Sequence, residues 1–546
     1  MLRKSFIVGI VTTVAAFAQY GRPEFSREVF SPKLNPDGEE VEVIVKFKSE
    51  GNARGARAAG FAQRHGLNPT HDHALIGSHA YRLRRVDVDR LSADPDVEFI
   101  APDRVVRPTM DRSRAAVMAT NATNRTGLDG RGITVAVIDS GISATNGALG
   151  SGGTNQVLYQ KSFIPNVTST ADEYGHGTHV ASIIAGQGMG SVESYRGMAD
   201  GAGLLNLRVL DKDGAGKDSY VIAALAWVVA NKATYNIRVV NLSLGRPVYG
   251  SYKVDPLCLA VEAVWKAGIV VVVAAGNEGR NNSSNTGGYG TIMAPGNDPY
   301  AITVGAAKTG STNSRVDDMP TSYSSKGPSM VDHIVKPDLL APGNRVVALG
   351  AGALLSGNPA NVVDANYKYM MLSGTSMAAP VVSGAVALLL QSEPALTPDQ
   401  VKARLMKNAW RGFAPSASVI DNGKTYTVRN DIFSIGAGYL DIDAALADSA
   451  YRPLGQALSP AAVYDAATKK ATLVKGSNVI WGEAAAPFNV IWGSNVLAGA
   501  NVIWGENVIW GDSTSGCNVI WGESAIYSAT STVSGEAASL LLKGEN

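Results

Sequence analysis

ITVAVID, residues 133–139, is a short and nearly continuous apolar run that ends in an acid. Similar runs follow it at VVNLSL (239–244), IVVVVAAG (269–276) and YAITVGA (300–306). Helical patterns separate these runs, among them SYVIAALAWVVA (219–230) and PLCLAVEAVWKAG (256–268). Buried strands that alternate with helices are typical of a mainly parallel sheet with helices on both faces. The sequence therefore predicts an α/β fold for this part of the chain.

GTSMAAPVVSGAVALLL, residues 374–390, places the hydroxyl of Ser376 between small residues at the start of a long apolar run. A serine before a buried helix has two interpretations. It can be the N-cap, whose oxygen accepts a hydrogen bond from the first turn. It can also be a nucleophile at the positive end of the helix, cleared of bulk so that a substrate carbonyl can approach. A nucleophile requires a base, a group that orients the base, and an oxyanion donor.

Candidates for these three roles follow the predicted strands, where sites form in open parallel sheets. Asp139 ends ITVAVID, where an acid can cap a turn or orient a histidine. His176 and His179 lie in DEYGHGTHVASIIAG (172–186), and we expect one of them to be the base and the other to pack into the helix. Asn277 follows IVVVVAAG, where it can support a turn or donate from its side-chain NH2 group to an oxyanion.

Five motifs in sequence order resemble the signatures of subtilisin-like serine peptidases. They are VIDSGI (137–142), HGTHVA (176–181), NLSLG (241–245), AAGNEG (274–279) and GTSMAAP (374–380). The resemblance covers about residues 113–447 and implies a serine endopeptidase that hydrolyses peptide bonds through an acyl-enzyme intermediate. It makes Ser376 the nucleophile, His176 the base and Asp139 the residue that orients the imidazole. It also implies that Asn277 and the backbone N–H of Ser376 bind the oxyanion.

The resemblance further implies which residues contact a peptide substrate. The edge that pairs with an extended peptide consists of Gly214, Ala215 and Gly216. The walls of the pocket for the residue before the scissile bond are Ser243, Leu244 and Gly245 on one side and Ala274, Ala275 and Gly276 on the other. Met293 falls where many relatives carry a small residue at the pocket floor. We therefore expect a shallow pocket that disfavours large aromatic side chains.

Metal and nucleic-acid chemistry receive little support from the composition. The two cysteines, Cys258 and Cys517, form no disulfide framework or metal-ligand spacing, and Cys258 is predicted to be a small core residue. DKDGAGKD (211–218) looks like a calcium loop but lacks its downstream Glu, so it is better explained as the substrate edge. The chemistry requires no cofactor, and structural calcium is an expectation from the family alone. A net charge of +1 shows no general nucleic-acid footprint.

The N-terminal part of the chain predicts two segments ahead of the peptidase. MLRKSFIVGIVTTVAAFAQY has a basic start, a short apolar stretch and an A-x-A pattern, which indicate a signal peptide at 1–18. We therefore expect a secreted protein, extracellular or associated with the cell surface. No later run is long and apolar enough to predict a membrane span.

A charged segment, about residues 38–108, follows the signal. Strands in VEVIVKFK (41–48), YRLRRV (81–86) and VEFIAPDRVV (97–106), with helices between them, predict a small α+β unit. Its four histidines are expected at the surface. The unit resembles the inhibitory propeptide of these enzymes, so we predict an intramolecular inhibitor that the enzyme removes by cleaving itself between Pro108 and Thr126.

The C-terminal part of the chain carries a repeat, Asn-Val-Ile-Trp-Gly. Its five copies begin at Asn478, Asn489, Asn501, Asn507 and Asn518. Short strands closed by turns are the expected units, which makes the tail β-prone. Tryptophan stacking could bind a polymer or a cell-surface ligand, and the alternative is a spacer or a removable C-terminal propeptide. The predicted domains are a signal peptide (1–18), a propeptide (19–112), a peptidase domain (113–450), a linker or peripheral helix (451–475) and the tail (476–546).

A different class of function is also conceivable for such a chain, namely a catalytically idle fold that serves as a binding module. The presence of all four chemical groups disfavours this class of function. The loss of Asp139, His176 or Ser376 would instead have favoured it.

Overall fold

The structure is a computed structural model of the chain. It describes residues 40–48, 54–73, 78–102, 109–143, 149, 156–188, 195–283, 286–310, 314–351, 362–363, 369–421, 423–465, 470–473, 525–528 and 545. The predicted signal peptide, Cys517 and the five Asn-Val-Ile-Trp-Gly copies lie outside these residues. The chain divides into two compact units, Met1–Arg107 and Pro108–Asn546, which are described separately.

The described residues of the first unit form a four-stranded antiparallel sheet with two helices. Its strands are β1 (Glu40–Phe47), β2 (Pro69–His73), β3 (Ser78–Arg84) and β4 (Val97–Pro102), in the order β2-β3-β1-β4. Its helices are α1 (Arg54–His65) and α2 (Val88–Ser92). Phe47, Phe61 and Tyr81 are at most 1% exposed and form the centre of a core separate from that of the second unit.

Two features of this unit differ from the sequence prediction. Strand β2 was not expected, because PTHDH has no apolar alternation, and its pairing with β3 accounts for it. The four histidines were expected at the surface, but His79, whose ring packs against Phe47 with centroids 5.9 Å apart, and His65 are half-buried. His65 also has a polar partner. Its Nε2 lies 2.7 Å from Oδ2 of Asp94, and its ring packs against Phe61 with centroids 4.8 Å apart.

The second unit is built on an eight-stranded sheet of order β13-β12-β11-β9-β5-β7-β6, with β14 paired to β12. Its strands are β5 (Thr134–Asp139), β6 (Val157–Ser162), β7 (Gly203–Arg208), β9 (Ile237–Leu242), β11 (Val270–Ala274), β12 (Ile302–Lys308), β13 (Met319–Pro320) and β14 (Leu339–Pro342). All pairs are parallel except β12 with β13. The predicted α/β fold with a mainly parallel sheet is thus confirmed.

Shorter strands surround this sheet. They are β8 (Ala215–Lys217), β10 (Leu244–Gly245), β15 (Val346–Leu349), β16 (Tyr369–Leu372), β17 (Ser416–Asp421), β18 (Lys424–Arg429), β19 (Ala462–Asp465), β20 (Lys470–Leu473) and β21 (Ala525–Ser528). The described helices of this unit are α3 (Thr109–Ala116), α4 (Ala119–Thr126), α5 (His176–Ala185), α6 (Asp218–Tyr235), α7 (Pro256–Lys266), α8 (Thr375–Ser392), α9 (Pro398–Lys407) and α10 (Ile442–Ala447).

Helix α8 is the central helix of this unit. It packs against β9, β11, β12 and β14, and its residues from Thr375 to Leu390 are all buried. Among the described helices it alone has the length and apolar composition of a membrane span, with 89% of that window buried inside the protein. A helix that is apolar on every side is expected in such a core position.

Helix α9 has a local cap, and the prediction of Cys258 as a core residue is confirmed. Helix α9 begins with a capping box in which the backbone N–H of Gln400 donates to Thr397 Oγ1 at 3.2 Å, and the N–H of Thr397 donates to Gln400 Oε1 at 3.1 Å. Cys258 is a fully buried residue of α7.

The segment predicted as a linker or peripheral helix is instead packed chain and a hairpin. Strands β19 and β20 pair antiparallel, so the helix is wrong. Before them, the Ser459 hydroxyl lies 2.9 Å from the buried ammonium of Lys402, which donates to it, and Ser459 itself donates to Asp338. A buried ammonium needs such partners, and this requirement ties the segment to the domain. The other domain boundaries stay predictions.

Candidate active site

The buried pair of Asp139 and His176 forms the centre of the site. Asp139 is the last residue of β5 and His176 is the first residue of α5. Nδ1 of His176 lies 2.8 Å from Oδ1 of Asp139, and both side chains are at most 1% exposed. The N–H of Ser140 donates to the same carboxylate oxygen at 2.7 Å, which fixes its position. The carboxylate can therefore hold the imidazole with its proton on Nδ1.

The electrostatics of this pair favour a basic imidazole. Burial disfavours the charged form of His176, but the charge of Asp139 and the hydrogen bond to it, together with the charge of Asp172, outweigh that cost. The pKa of His176 is therefore raised above its ordinary value of 6.5. Its Nε2 is buried and has no hydrogen-bond partner among the described residues, so this nitrogen is the one that can take up a proton.

Asp172 is a second buried acid, which the sequence reasoning did not single out. Its Oδ1 accepts from the N–H of Gly175 at 2.7 Å and from Ser140 Oγ at 2.8 Å, while Oδ2 accepts from the N–H of Thr178 at 2.8 Å. It thereby ties the turn after β5 to the start of α5. Burial raises the pKa of Asp172 in spite of these bonds. An acid shortly before a helix was the available signal.

His179 has a structural environment. Its Nε2 donates to the backbone carbonyl of Met370 at 3.1 Å, and burial lowers the pKa of its imidazole to about 3. This histidine is therefore neutral at ordinary pH. Of the two histidines in the motif, His176 is the one that contacts Asp139.

Ser376 is the second residue of α8, and the N-cap position belongs to Gly374, whose φ of +152° favours glycine. The interpretation of Ser376 as the N-cap is therefore wrong. Its Oγ donates to the carbonyl of Ser243 at 3.2 Å, and Ser243 Oγ donates to the carbonyl of Ser376 at 2.8 Å. The structure thus holds the Ser376 hydroxyl on the segment 243–245, with no hydrogen bond to His176 Nε2 among the described residues.

Asn277 stands directly beside the start of α8. Its Oδ1 accepts from the backbone N–H of Thr375 at 2.9 Å and from Thr375 Oγ1 at 3.1 Å. The same hydroxyl accepts from the N–H of Gly276 at 3.1 Å. Because Thr375 fixes the oxygen of the amide, Nδ2 of Asn277 is the end that can donate to a substrate oxygen.

Glycines shape the predicted peptide-binding edges. Gly214 has a φ of +77°, and a Cβ added there would lie 2.8 Å from the ring of Tyr174. A Cβ added to Gly216 would collide with the carbonyl oxygen of Val209. The edges themselves are β8, which contains Ala215 and Gly216, and β10, which consists of Leu244 and Gly245.

The Met293 side chain lies between the predicted pocket walls. A Cβ added to Gly276 would lie 2.8 Å from Cγ and 3.1 Å from Sδ of Met293, and one added to Gly245 would lie 3.1 Å from its Cβ. The N–H of Met293 donates to the carbonyl of Ala275 at 3.0 Å, which ties it to one wall. Met293 is 6% exposed.

No group of three or more His, Cys, Asp or Glu side chains in the described part of the chain could hold a metal ion. The acids of DKDGAGKD have other partners: Asp213 pairs with Lys212, Asp218 pairs with Arg246, and Asp211 binds the backbone. Oδ1 of Asp211 accepts from the N–H groups of Asp213 and Ala215, at 2.9 and 3.0 Å. The acids of this loop are therefore not gathered into a calcium site, and the structural calcium expected from the family stays a prediction.

Comparisons with known proteins identify the family of this chain. The Subtilase family model matches residues 130–438. Serine protease AprX of Bacillus subtilis (strain 168) is 35% identical over 342 residues, covering 60% of this chain and 73% of that protein. Subtilisin E of the same strain is 33% identical over 337 residues, covering 61% and 76%. The crystal structure of a cold adapted subtilisin-like serine proteinase is 29% identical, with a TM-score of 0.39, and covers 52% of this chain and 84% of that one. The chain belongs to the subtilase family and is a subtilisin-type serine endopeptidase.

Proposed function

We propose that this endopeptidase acts through Ser376, His176 and Asp139, and that it is a secreted protein made as a self-processing zymogen. The observation that carries the proposal is the buried 2.8 Å contact between His176 Nδ1 and Asp139 Oδ1. It leaves Nε2 as the basic nitrogen of an imidazole whose pKa is raised. An oriented base of this kind, acting on a serine at a helix start, is the arrangement that acyl transfer requires.

The reaction begins when Ser376 Oγ leaves the Ser243 carbonyl and gives its proton to Nε2 of His176. The oxygen attacks the peptide carbonyl, and the carboxylate of Asp139 stabilises the imidazolium that forms. Nδ2 of Asn277 and the N–H of Ser376, at the positive end of α8, donate to the oxyanion. The imidazolium then protonates the leaving amine, and water repeats the sequence on the acyl-enzyme. No step needs a metal.

The substrate binds as an added strand between β8 and β10. Gly214 and Gly216 shape this edge through the protein's own packing, because side chains at these positions would meet Tyr174 and the Val209 carbonyl. The residue before the scissile bond enters the pocket between Gly245 and Gly276.

The zymogen part of the proposal rests on the sequence of the signal segment and on the first unit. That unit has its own core around Phe47 and Phe61, as an inhibitor that folds as a unit should. We assign it the role of an intramolecular inhibitor that self-cleavage removes. The substrates of the mature enzyme are peptide bonds of proteins.

The test compares the full chain with Ser376→Ala, by intact mass and by a casein assay. We expect the full chain to lose about its first hundred residues and digest casein, and the variant to stay full length and inert. Ser392→Ala, at the exposed end of the same helix, is the matched control and should behave as the parent. Folded protein that is inert and unprocessed in all three forms would overturn the proposal and favour an idle binding module.

A further inference from the structure

A strand from the C-terminal tail lies between the two edges that the proposed function gives to the substrate. Strand β21 pairs antiparallel with β10 on one side and with β8 on the other. Tyr527 is opposite Gly245 and Ala215, and Ile526 is opposite Gly216. The three-stranded sheet β10-β21-β8 thus contains, as its central strand, a segment of the chain itself. An extended peptide substrate would use the same backbone groups.

Glu545, further along the same tail, is held in a buried polar pocket. Its carboxylate accepts from the N–H of Ser322 at 3.0 Å, from Ser322 Oγ at 2.5 Å and from Arg280 Nη2 at 3.0 Å. Its backbone pairs with a side-chain amide, because Asn344 Nδ2 donates to its carbonyl at 3.0 Å and its N–H donates to Asn344 Oδ1 at 2.9 Å. Glu545 is 1% exposed. The pocket therefore binds both the acidic side chain and the backbone N–H and carbonyl of Glu545.

The pocket is fixed by the peptidase domain. Arg280 Nη1 donates to Asp421 at 2.7 Å, Nε donates to Ser322 Oγ at 2.7 Å, and the guanidinium lies 4.0 Å from the ring centroid of Tyr426. These contacts orient one N–H of the guanidinium towards the carboxylate. A buried carboxylate is costly unless it is paired in this way.

The pocket also adjoins the catalytic segments. Arg280 follows Asn277 in the same loop after β11. Asn344 follows Gly343, whose carbonyl accepts the N–H of Gly374, the N-cap of α8, at 2.7 Å. The tail therefore contacts the peptide-binding edges at β21 and, through Glu545, the segments that lead to the oxyanion donor and the nucleophile.

We propose that the tail is an intramolecular occupant of the substrate cleft, and that the pocket of Arg280, Ser322 and Asn344 is a carboxylate site that latches it through Glu545. The proposal rests on the assignment of β8 and β10 as the peptide-binding edges. The tail competes with substrate for these edges, so it raises the apparent KM and leaves kcat unchanged. Release of the latch therefore lowers KM.

The test measures hydrolysis of a tetrapeptide p-nitroanilide by the full chain, by Glu545→Ala and by Glu545→Gln, with mass analysis to verify that the tail is present. Glu536→Ala, a change of the same kind in the same tail, is the control. We expect KM to fall about tenfold in Glu545→Ala at unchanged kcat. A fall of this size results when the form with the tail out of the cleft rises from about a tenth of the molecules to most of them. Glu545→Gln keeps the shape of the side chain and should give a smaller fall.

A second readout separates this proposal from the proposed function. In the Ser376→Ala background, hydrogen exchange of residues 215–217 and 244–245 should be faster when Glu545 is also replaced by Ala, and unchanged when Glu536 is. The latch is overturned if Glu545→Ala and Glu536→Ala hydrolyse the substrate with the same KM and show the same hydrogen exchange. That outcome leaves the catalytic assignment intact. Absent hydrolysis in every active-site-intact form overturns the catalytic assignment, while the exchange result still decides the latch.

Discussion

Replacement of Met293 by glycine should convert a shallow specificity pocket into a deep one. The thioether of Met293 lies between the two glycine walls, within 2.8–3.1 Å of where a Cβ on Gly276 would stand. The side chain is 6% exposed and its backbone N–H is bonded to Ala275. Its removal therefore opens space between Gly245 and Gly276 while the hydrogen bond that holds the backbone remains.

The size of the effect follows from the apolar surface that the opened pocket can bury. Full burial of a phenylalanine side chain is worth about 1.5–3 kcal/mol. With about 2 kcal/mol gained in the transition state, kcat/KM for a phenylalanine substrate rises roughly 30-fold relative to an alanine substrate, since about 1.4 kcal/mol is tenfold in rate. The alanine substrate gains little, because its methyl group does not reach the new space.

The assay is kcat/KM on a series of tetrapeptide p-nitroanilides that differ only in the residue before the scissile bond, namely Ala, Leu, Met and Phe. The ratio of Phe to Ala should rise roughly 30-fold in Met293→Gly, and to a smaller extent in Met293→Ala. Met293→Leu conserves volume and should leave the ratio near that of the parent. Thermal unfolding checks that each variant is folded. An unchanged ratio in folded Met293→Gly would show that Met293 does not close this pocket.

Three further predictions concern the base, its support and a helix cap. The midpoint of the acid limb in the pH profile of kcat/KM should lie above pH 6.5, because the pKa of His176 is raised and falling pH protonates this base. In Asp139→Asn this midpoint should move to lower pH. An unchanged midpoint would contradict the role of Asp139. Gly177→Ala should lower kcat/KM by about a hundredfold, because the new Cβ would collide with the Gly141 carbonyl and displace His176 from Asp139. The control Gly250→Ala should keep its activity, because a Cβ added at that position would lie in open space. Thr397→Ala should lower the free energy of unfolding in urea by about 1 kcal/mol and Thr397→Ser by less, and equal losses would argue against the capping box.

Local pattern was sufficient for much of the fold. Runs such as ITVAVID and IVVVVAAG indicate buried parallel strands because both faces of such strands are covered. The meeting of Asp139 with the histidine motif follows from the same pattern, since strand ends of a parallel sheet share one edge. The cap of α9 is local too, because its two partners are three residues apart in the sequence.

Other features could not be predicted because their partners are distant in the sequence. Strand β2 depends on pairing with β3, and residues 451–463 are placed by the demands of buried Lys402 and Asp338. The same holds for the site. Asp172 binds Ser140, which precedes it by 32 residues, and the orientation of the Asn277 amide depends on Thr375. Polar residues of this kind follow no periodic pattern in the sequence from which their partners could be predicted.

The sequence by itself determined the alternation of strands and helices and the identity of the reactive groups, because both depend on neighbours along the chain. The residue pattern left His176 and His179 equivalent, and the family resemblance favoured His176. The tertiary structure shows that His176 contacts Asp139, and it alone decided that Gly374 rather than Ser376 caps α8. It also brought Glu545 to Arg280 and β21 between β8 and β10. These contacts join residues far apart in the chain, and hydrogen-bond geometry and desolvation in the packed interior select among partners that the sequence leaves equivalent.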